Sequence, residues 1–464
     1  MTSRDNRLLV AAIAASQFAQ VFMISGVAVA LPAMGVDLNA GAASLGLVET
    51  LFLAGSVAFL LPVGRLADAS DKATLFKLGA ISFGVCTLLV PLFSSVPVIL
   101  FLRFMQGCTS AISAATGAAI VADVVPPERR GSAYGITIAA VYAGLTVGPV
   151  CAGFLIHHWG WRAMFWAGGA LVMLAYALIQ ILLPSRWRPA PPGAVHLPSS
   201  VLVIAAMLLL AIGCSIVREP VYGYGLVAAG LALTIVFLFY QRRLKEPLLN
   251  VEVLMRNTVL RNALLVQLLL YTNAFCSVFM LSIYMQVVLD ETARTAGQVI
   301  ALGSLLMAMI APLAGALADR YRAQVLASLG VALAFVSALL ALALDARTTW
   351  IHVALLLSVQ GVGFAFFSTP NVTIIMNSVP AERRSIASAL TAVARTLGMM
   401  LGMLMTAAVV SIYIGDAPIG SDPQLFLRTM RTSFVVLAAV SLLALAVSLR
   451  HRFPPTPSEQ SPGR

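Results

Sequence analysis

The chain has 464 residues, of which 60% are apolar and 10% charged, with a formal net charge of +11. Sixty per cent of 464 is about 278 apolar residues, enough for about fourteen membrane spans of roughly 20 residues each. The mean hydropathy of +0.96 lies far above that of a soluble domain, in which about a quarter of residues are charged, so a soluble enzyme, a disordered chain and a nucleic-acid-binding module are excluded and an all-α polytopic membrane protein is predicted.

In chain order, apolar windows long enough to cross a bilayer fall at 8–34, 44–66, 73–93, 98–122, 131–156, 163–183, 199–217 and 222–240. They continue at 263–288, 297–318, 325–344, 350–374, 385–412 and 431–449, which makes fourteen. The first is too long for a signal-peptide core and lacks a small-residue cleavage pattern, so it reads as a span. Cys86, Cys108, Cys151, Cys214 and Cys276 stand alone inside apolar runs with no Cys-x-x-Cys. They read as small hydrophobes, with no metal site and no cofactor implied.

The basic residues set the orientation. With the N-terminus in the cytoplasm, 21 Lys and Arg fall on cytoplasmic segments, six fall outside and two lie within spans. The positive charge is therefore a topology signal, with attraction to anionic lipid second to it. A multi-pass protein of a bacterial inner membrane with both termini cytoplasmic is expected.

Two stretches echo each other. Val125-Pro-Pro-Glu-Arg129-Arg130 returns as Val379-Pro-Ala-Glu-Arg383-Arg384, Gln106-Gly107 as Gln360-Gly361, and Gly148 as Gly402, each 254 residues on. Gly64-x-Leu66-Ala67-Asp68 returns as Gly315-x-Leu317-Ala318-Asp319, 251 residues on. The chain thus divides into an N-terminal six-helix bundle (1–190), an inserted helix pair of spans seven and eight (191–248) and a C-terminal six-helix bundle (249–464). Repeated halves around a midplane cavity are the architecture of secondary transporters that alternate access.

The loop Gly64-Arg-Leu-Ala-Asp68-Ala-Ser-Asp-Lys72 resembles the loop 2–3 signature of the major facilitator superfamily, with Ala69 where a basic residue is usual and Asp71 where a glycine is usual. Fourteen spans with an inserted pair are similar to its drug:proton antiporter branch. The resemblance covers nearly the whole chain. It implies that Asp68 takes part in cytoplasmic gating, with Arg129 or Arg130 as ion partner and Gly64 in the same loop. A solvated loop charge is the alternative. Arg103-Phe-Met-Gln106-Gly107 looks like the superfamily's span-four signature, whose arginine is linked to proton coupling.

In span five, Gly144-Leu-Thr-Val-Gly148-Pro149-Val-Cys-Ala-Gly153 places Ala140, Gly144, Gly148 and Ala152 four apart, a smooth face for close helix contact. Pro149 cannot donate to the carbonyl of Leu145 and is expected to kink the helix. Ordinary tight packing explains the spacing alone. The pattern is also similar to the antiporter signature of the superfamily, which implies export. Span thirteen keeps the small face at Ala394, Gly398, Gly402 and Thr406 without the proline.

Charges inside spans are costly and become functional candidates. Three qualify: Glu49, Arg103 and Arg395. Glu49 and Arg103 each lie about five residues in from the outer ends of their spans, at roughly the same depth near 8 Å. A Glu–Arg pair is expected there, and protonation of the carboxyl would release it. The alternative is an acid facing water in an outer vestibule. Members of the fourteen-helix branch often carry a span-one aspartate where this chain has Met23, and spans nine to fourteen hold no interior acid. A neutral or carboxylate-bearing substrate therefore fits better than a dication, although aromatic faces can hold cations. Gln17, Gln20, Met23, Gln106, Asn273, Asn371 and Arg395 are the candidate cavity residues, with Gln267 beside them and Phe364, Phe366, Phe367, Met399, Met400 and Met403 as adaptable apolar surface.

The expected function is proton-coupled export of a small amphipathic molecule (drug, antibiotic or secreted metabolite), driven by the proton gradient. The partners are lipid, protons and a small substrate, with a monomer sufficient. A proton-coupled carrier of an organic anion is the nearest rival. An intramembrane enzyme would need clustered acids and histidines, a channel a filter-like loop and a nucleotide-driven pump a G-x-x-x-x-G-K-[ST]; the sequence has none of these.

Overall fold

The computed structural model describes residues 3–68, 71–125, 130–182, 196–217, 219–244, 247–249, 251–380, 384–415, 417–418 and 422–450. The helices are α1 (Ser3–Leu38), α2 (Ala42–Asp68), α3 (Lys72–Leu89), α4 (Val96–Val124), α5 (Arg130–Trp159), α6 (Trp161–Leu182), α7 (Leu197–Ser215) and α8 (Pro220–Gln241). They continue as α9 (Val251–Arg256), α10 (Thr258–Val287), α11 (Ala293–Arg320), α12 (Ala323–Leu342), α13 (Trp350–Asn377), α14 (Arg384–Tyr413) and α15 (Pro423–Leu449). All but the six-residue α9 are long and apolar enough to cross a membrane, which gives fourteen candidate spans. With no water in the hydrocarbon, each span must satisfy its backbone internally, and the helix does so. Among the described residues no strand occurs.

Helix ends follow local chemistry. Asp71 accepts from the Ala73 amide at 3.2 Å and from the Thr74 hydroxyl at 2.5 Å, so the residue standing where the loop signature has a glycine caps α3. Asn257, Thr292 and Asp422 cap α10, α11 and α15 in the same way. Gly160, at φ +80°, makes the one-residue turn between α5 and α6, a conformation that a side chain would strain.

In the first half α1 packs on α5 and α6, α2 on α4, and α3 on α4 and α6. In the second, α10 packs on α14, α15 and α13, α11 on α13, and α12 on α13 and α15. The repeat seen in the sequence is also a repeat of contacts. A Cβ on Gly107 of α4 would overlap the Phe52 carbonyl oxygen of α2, and one on Gly361 of α13 would overlap the Gly303 carbonyl oxygen of α11. On α5, a Cβ at Gly144 or Gly148 would come within 2.8 and 2.7 Å of the Phe18 and Phe22 carbonyl oxygens of α1. On α14, Gly398 and Gly402 face the Leu268 and Thr272 carbonyl oxygens of α10. The Ser25 hydroxyl donates to the Gly144 carbonyl at 3.2 Å, and the Thr272 hydroxyl donates to that of Gly398 at 3.0 Å.

The halves meet along α1–α10, α2–α14 and α5–α11, and α7, paired with α8, lies against both α2 and α14. The inserted pair thus covers one of the seams. Its base is tied to the following segment by the buried Gln241, which donates to the Ser199 hydroxyl at 2.8 Å and accepts from the Leu248 amide at 2.7 Å.

Among the described residues, the hydrogen bonds that join the halves cluster at one face, the one carrying the α1–α2, α10–α11 and α14–α15 loops. There the Ser282 hydroxyl donates to the Ala28 carbonyl at 2.9 Å and the Gln286 amide to that of Val29 at 3.3 Å. The Ala42 and Ala43 amides donate to the Ala417 and Gly415 carbonyls at 3.1 and 3.3 Å. This is the face poor in Lys and Arg.

Candidate functional site

α2 and α4 bring Glu49 and Arg103 together. Glu49 Oε2 and Arg103 Nη2 lie 3.3 Å apart, with both side chains 1% exposed. Arg103 is held from three other sides. Its Nε donates to the Val48 carbonyl at 3.1 Å, its Nη1 donates to Gln106 Oε1 at 2.9 Å, and its guanidinium lies 4.6 Å from the centre of the Phe52 ring. Gln106 passes the network on by donating to Thr87 Oγ1 at 2.8 Å. Neither carboxylate oxygen of Glu49 has a hydrogen bond. The carboxyl is thus answered by one cation and by nothing else, and it faces no outer vestibule. A charge lost on Glu49 leaves Arg103 with no counter-ion inside an apolar bundle.

The span-five signature serves two contacts at once. Gly144 and Gly148 lie on α1, as described above. A Cβ on Gly297 of α11 would overlap the Pro149 carbonyl oxygen, and one on Gly153 would overlap that of Ala293. α5 runs unbroken through Pro149. Its glycines therefore fasten α1 within the half, and its Pro149–Gly153 end fastens α11 across the seam between halves.

Five of the seven cavity candidates are turned into their own halves. Met23 is fully buried, with its sulfur over Gly168 of α6, and Gln20 is 6% exposed and donates to the Ser16 hydroxyl. Two steps of three residues rotate the side-chain direction by about 120° at 3.6 residues per turn. Gln17, half-buried and the least enclosed of the three, thus shares no face with Met23. Gln106 belongs to the Arg103 network. Asn273 donates to the Ser441 hydroxyl and accepts from Ser277 at 3.1 Å and Gln360 at 3.2 Å. Asn371 donates to Gln267 Oε1 at 3.1 Å, and Gln267 in turn donates to the Thr391 carbonyl at 2.8 Å. A neutral polar group in an apolar span is satisfied most cheaply by the next helix, and that is where these point.

Arg395 behaves differently. It is exposed at membrane depth on α14, and its guanidinium lies near the Tyr271 phenol on α10. Tyr271 packs edge-to-face on Phe364 of α13 with ring centres 4.8 Å apart. Tyr142 of α5, from the opposite half, packs on the same apolar cluster. Sequence reasoning named Arg395 and Phe364 but missed both tyrosines, because a tyrosine within an apolar span carries no signal that separates packing from binding. The gating group Asp68, Arg129 and Arg130 lies outside the described side chains. Gly64 itself has open space around its Cα.

The family model described as Major Facilitator Superfamily matches residues 13–402 and again 263–464, the whole chain but its first twelve residues. The chain belongs to the major facilitator superfamily. It is accordingly a multi-pass membrane transporter and not an enzyme. Among its relatives, the riboflavin transporter RibZ of Clostridioides difficile (strain 630) is 24% identical over 81% of each chain. Multidrug resistance protein Stp of Mycobacterium tuberculosis (strain ATCC 25618 / H37Rv) is 26% identical over 83% of this chain and 72% of its own length. The tetracenomycin C resistance and export protein of Streptomyces glaucescens is 25% identical over 84% of this chain and 73% of its own. Of solved structures, the fold matches a bacterial homolog to the human lysosomal transporter Spinster with a TM-score of 0.70 at 14% identity, over 97% of both chains.

Proposed function

We propose that this superfamily member exports a small amphipathic molecule across a bacterial inner membrane in exchange for protons, by alternating access. Both termini face the cytoplasm, the proton gradient supplies the energy without a bound cofactor, and one copy suffices because each chain carries both halves of the cavity. The observation that carries the proton-coupling part is the enclosed Glu49–Arg103 pair, a titratable group whose charge is answered by a single partner. Protonation of Glu49 frees Arg103 and its Gln106–Thr87 extension, which changes how α2 and α4 are held. The membrane potential offers about 2.3 kcal/mol per charge per 100 mV. Export is supported by the Pro149–Gly153 contact with α11 and by two relatives named for drug resistance or antibiotic export.

A second reading, a carrier of an organic anion, is favoured by Arg395, which has no carboxylate paired with it among the described residues.

Everted membrane vesicles energised to an acidic, positive interior, with a pH dye reporting proton release, test the proposal. Cationic amphiphiles, neutral antibiotics and polycarboxylates are added in turn. Proton release on adding one class, absent from vesicles without the protein, is the expected result. Release by none of them contradicts proton-coupled export.

A further inference from the structure

Arg395 carries a full charge at membrane depth, and such charges face a bundle interior or a water-filled cavity and mark substrate paths. Its neighbour on α10 shares an apolar cluster with a residue of the opposite half. Gly398, one turn along α14, packs against Tyr271, where a Cβ would stand 3.0 Å from that of the tyrosine. The Tyr271 phenol lies by the guanidinium, and Tyr142 of the opposite half packs on the same cluster. The wall beside this charge is aromatic, since Tyr271 meets Phe364 at 4.8 Å and Phe364 meets Phe367 at 6.2 Å, both edge-to-face. One turn beyond Phe364 on the same helix face, the buried Ser368 hydroxyl has no hydrogen-bond partner. The remaining charged pair of the membrane interior is closed on itself, because Arg103 holds Glu49.

We propose that Arg395, Tyr271, Tyr142, Phe364 and Ser368 form a substrate site for an aromatic carboxylate, a deepening that rests on the transport reading above. The guanidinium takes the carboxylate through its planar fork, as a lysine could not. The Ser368 and tyrosine hydroxyls supply the neutral hydrogen bonds, and the ring of the substrate lies against Tyr271 and Phe364. Because Tyr142 belongs to one half and the other four residues to the other, a bound molecule touches both bodies. Its contacts change when the halves rock, which is what couples occupancy to conformation.

The test is equilibrium binding to the full chain in lipid nanodiscs, without any proton gradient, of three probes that share one ring system: 2-naphthylacetate, 2-naphthylethanol and 2-naphthylethylammonium. The site predicts that the acid binds at least about tenfold more tightly than the alcohol, with the amine weakest. In Arg395→Gln the acid loses that advantage over the alcohol, and Arg395→Lys retains part of it. The order in the unaltered protein tests the site even if a variant fails to fold. Equal binding of the three, a preference for the amine, binding of none, or an acid preference that survives Arg395→Gln overturns it. Proton release in vesicles together with charge-blind binding would sink this site and leave proton-coupled export standing. Acid-selective binding lost in Arg395→Gln, with no proton release, would support the site and contradict the export reading.

Discussion

Glu49 on α2 and Arg103 on α4 meet at 3.3 Å in a region where each is 1% exposed, and neither carboxylate oxygen is hydrogen-bonded. Removing one partner of such a pair leaves an uncompensated buried charge, which costs about 3–5 kcal/mol, whereas removing both is often close to neutral. Arg103→Met is therefore expected to melt well below the unaltered protein in detergent. The double variant Arg103→Met with Glu49→Gln should recover most of that loss. A double variant no more stable than Arg103→Met would mean that the ion pair is not what holds α2 to α4 there.

The glycines at the α2–α4 and α11–α13 crossings predict a second pattern. Gly107→Ala and Gly361→Ala each push a methyl into a carbonyl oxygen of the facing helix. Overpacking of this kind costs about 1–3 kcal/mol. Gly46 on α2 has nothing within 4 Å of a Cβ, so Gly46→Ala should be neutral or stabilising, as alanine is the better helix former. Thermal melts of the three variants separate close approach from a general intolerance of change.

The hydrogen bonds from Ser282 and Gln286 to α1 hold the face poor in Lys and Arg closed. Each is worth about 0.5–1.5 kcal/mol, so Ser282→Ala or Gln286→Ala should raise the population open at that face by about 2- to 13-fold. Spin labels on the exposed positions Val36 and Arg294, in a background without native cysteines, report it as a longer distance component. An unchanged distance distribution in the double variant would show that other contacts govern the closure.

Gln241 satisfies the Leu248 amide and the Ser199 hydroxyl from a buried position. Gln241→Leu leaves both without a partner, at a cost of about 1–3 kcal/mol, and loosens the link after α8. Trypsin should then cut faster at the exposed Arg242 and Arg243 than in the unaltered protein.

The sequence carried the fold because its strongest signals are physical ones. Fourteen apolar windows match fourteen helices, and the echo of Gln106-Gly107 in Gln360-Gly361 marks two crossings where no side chain fits. Glu49 and Arg103 were legible as rare charges at equal depth. Asn273, Asn371, Gln20 and Met23 were not, because hydrophobic and neutral polar residues give no sign of whether they turn to a cavity or to the next helix. Tyr142 and Tyr271 come from different halves, 129 positions apart in the chain, and only the fold sets them on one cluster.

The most direct measurement of proton coupling through Glu49 is transport by reconstituted proteoliposomes, comparing the unaltered protein with Glu49→Gln and using the compound that gives the strongest proton release in vesicles. Gln keeps the shape of the side chain and removes its titration. Proton-driven accumulation is expected to fall to the level of empty liposomes while exchange of labelled for unlabelled substrate, without a gradient, persists. Proton-driven accumulation that survives Glu49→Gln would contradict it.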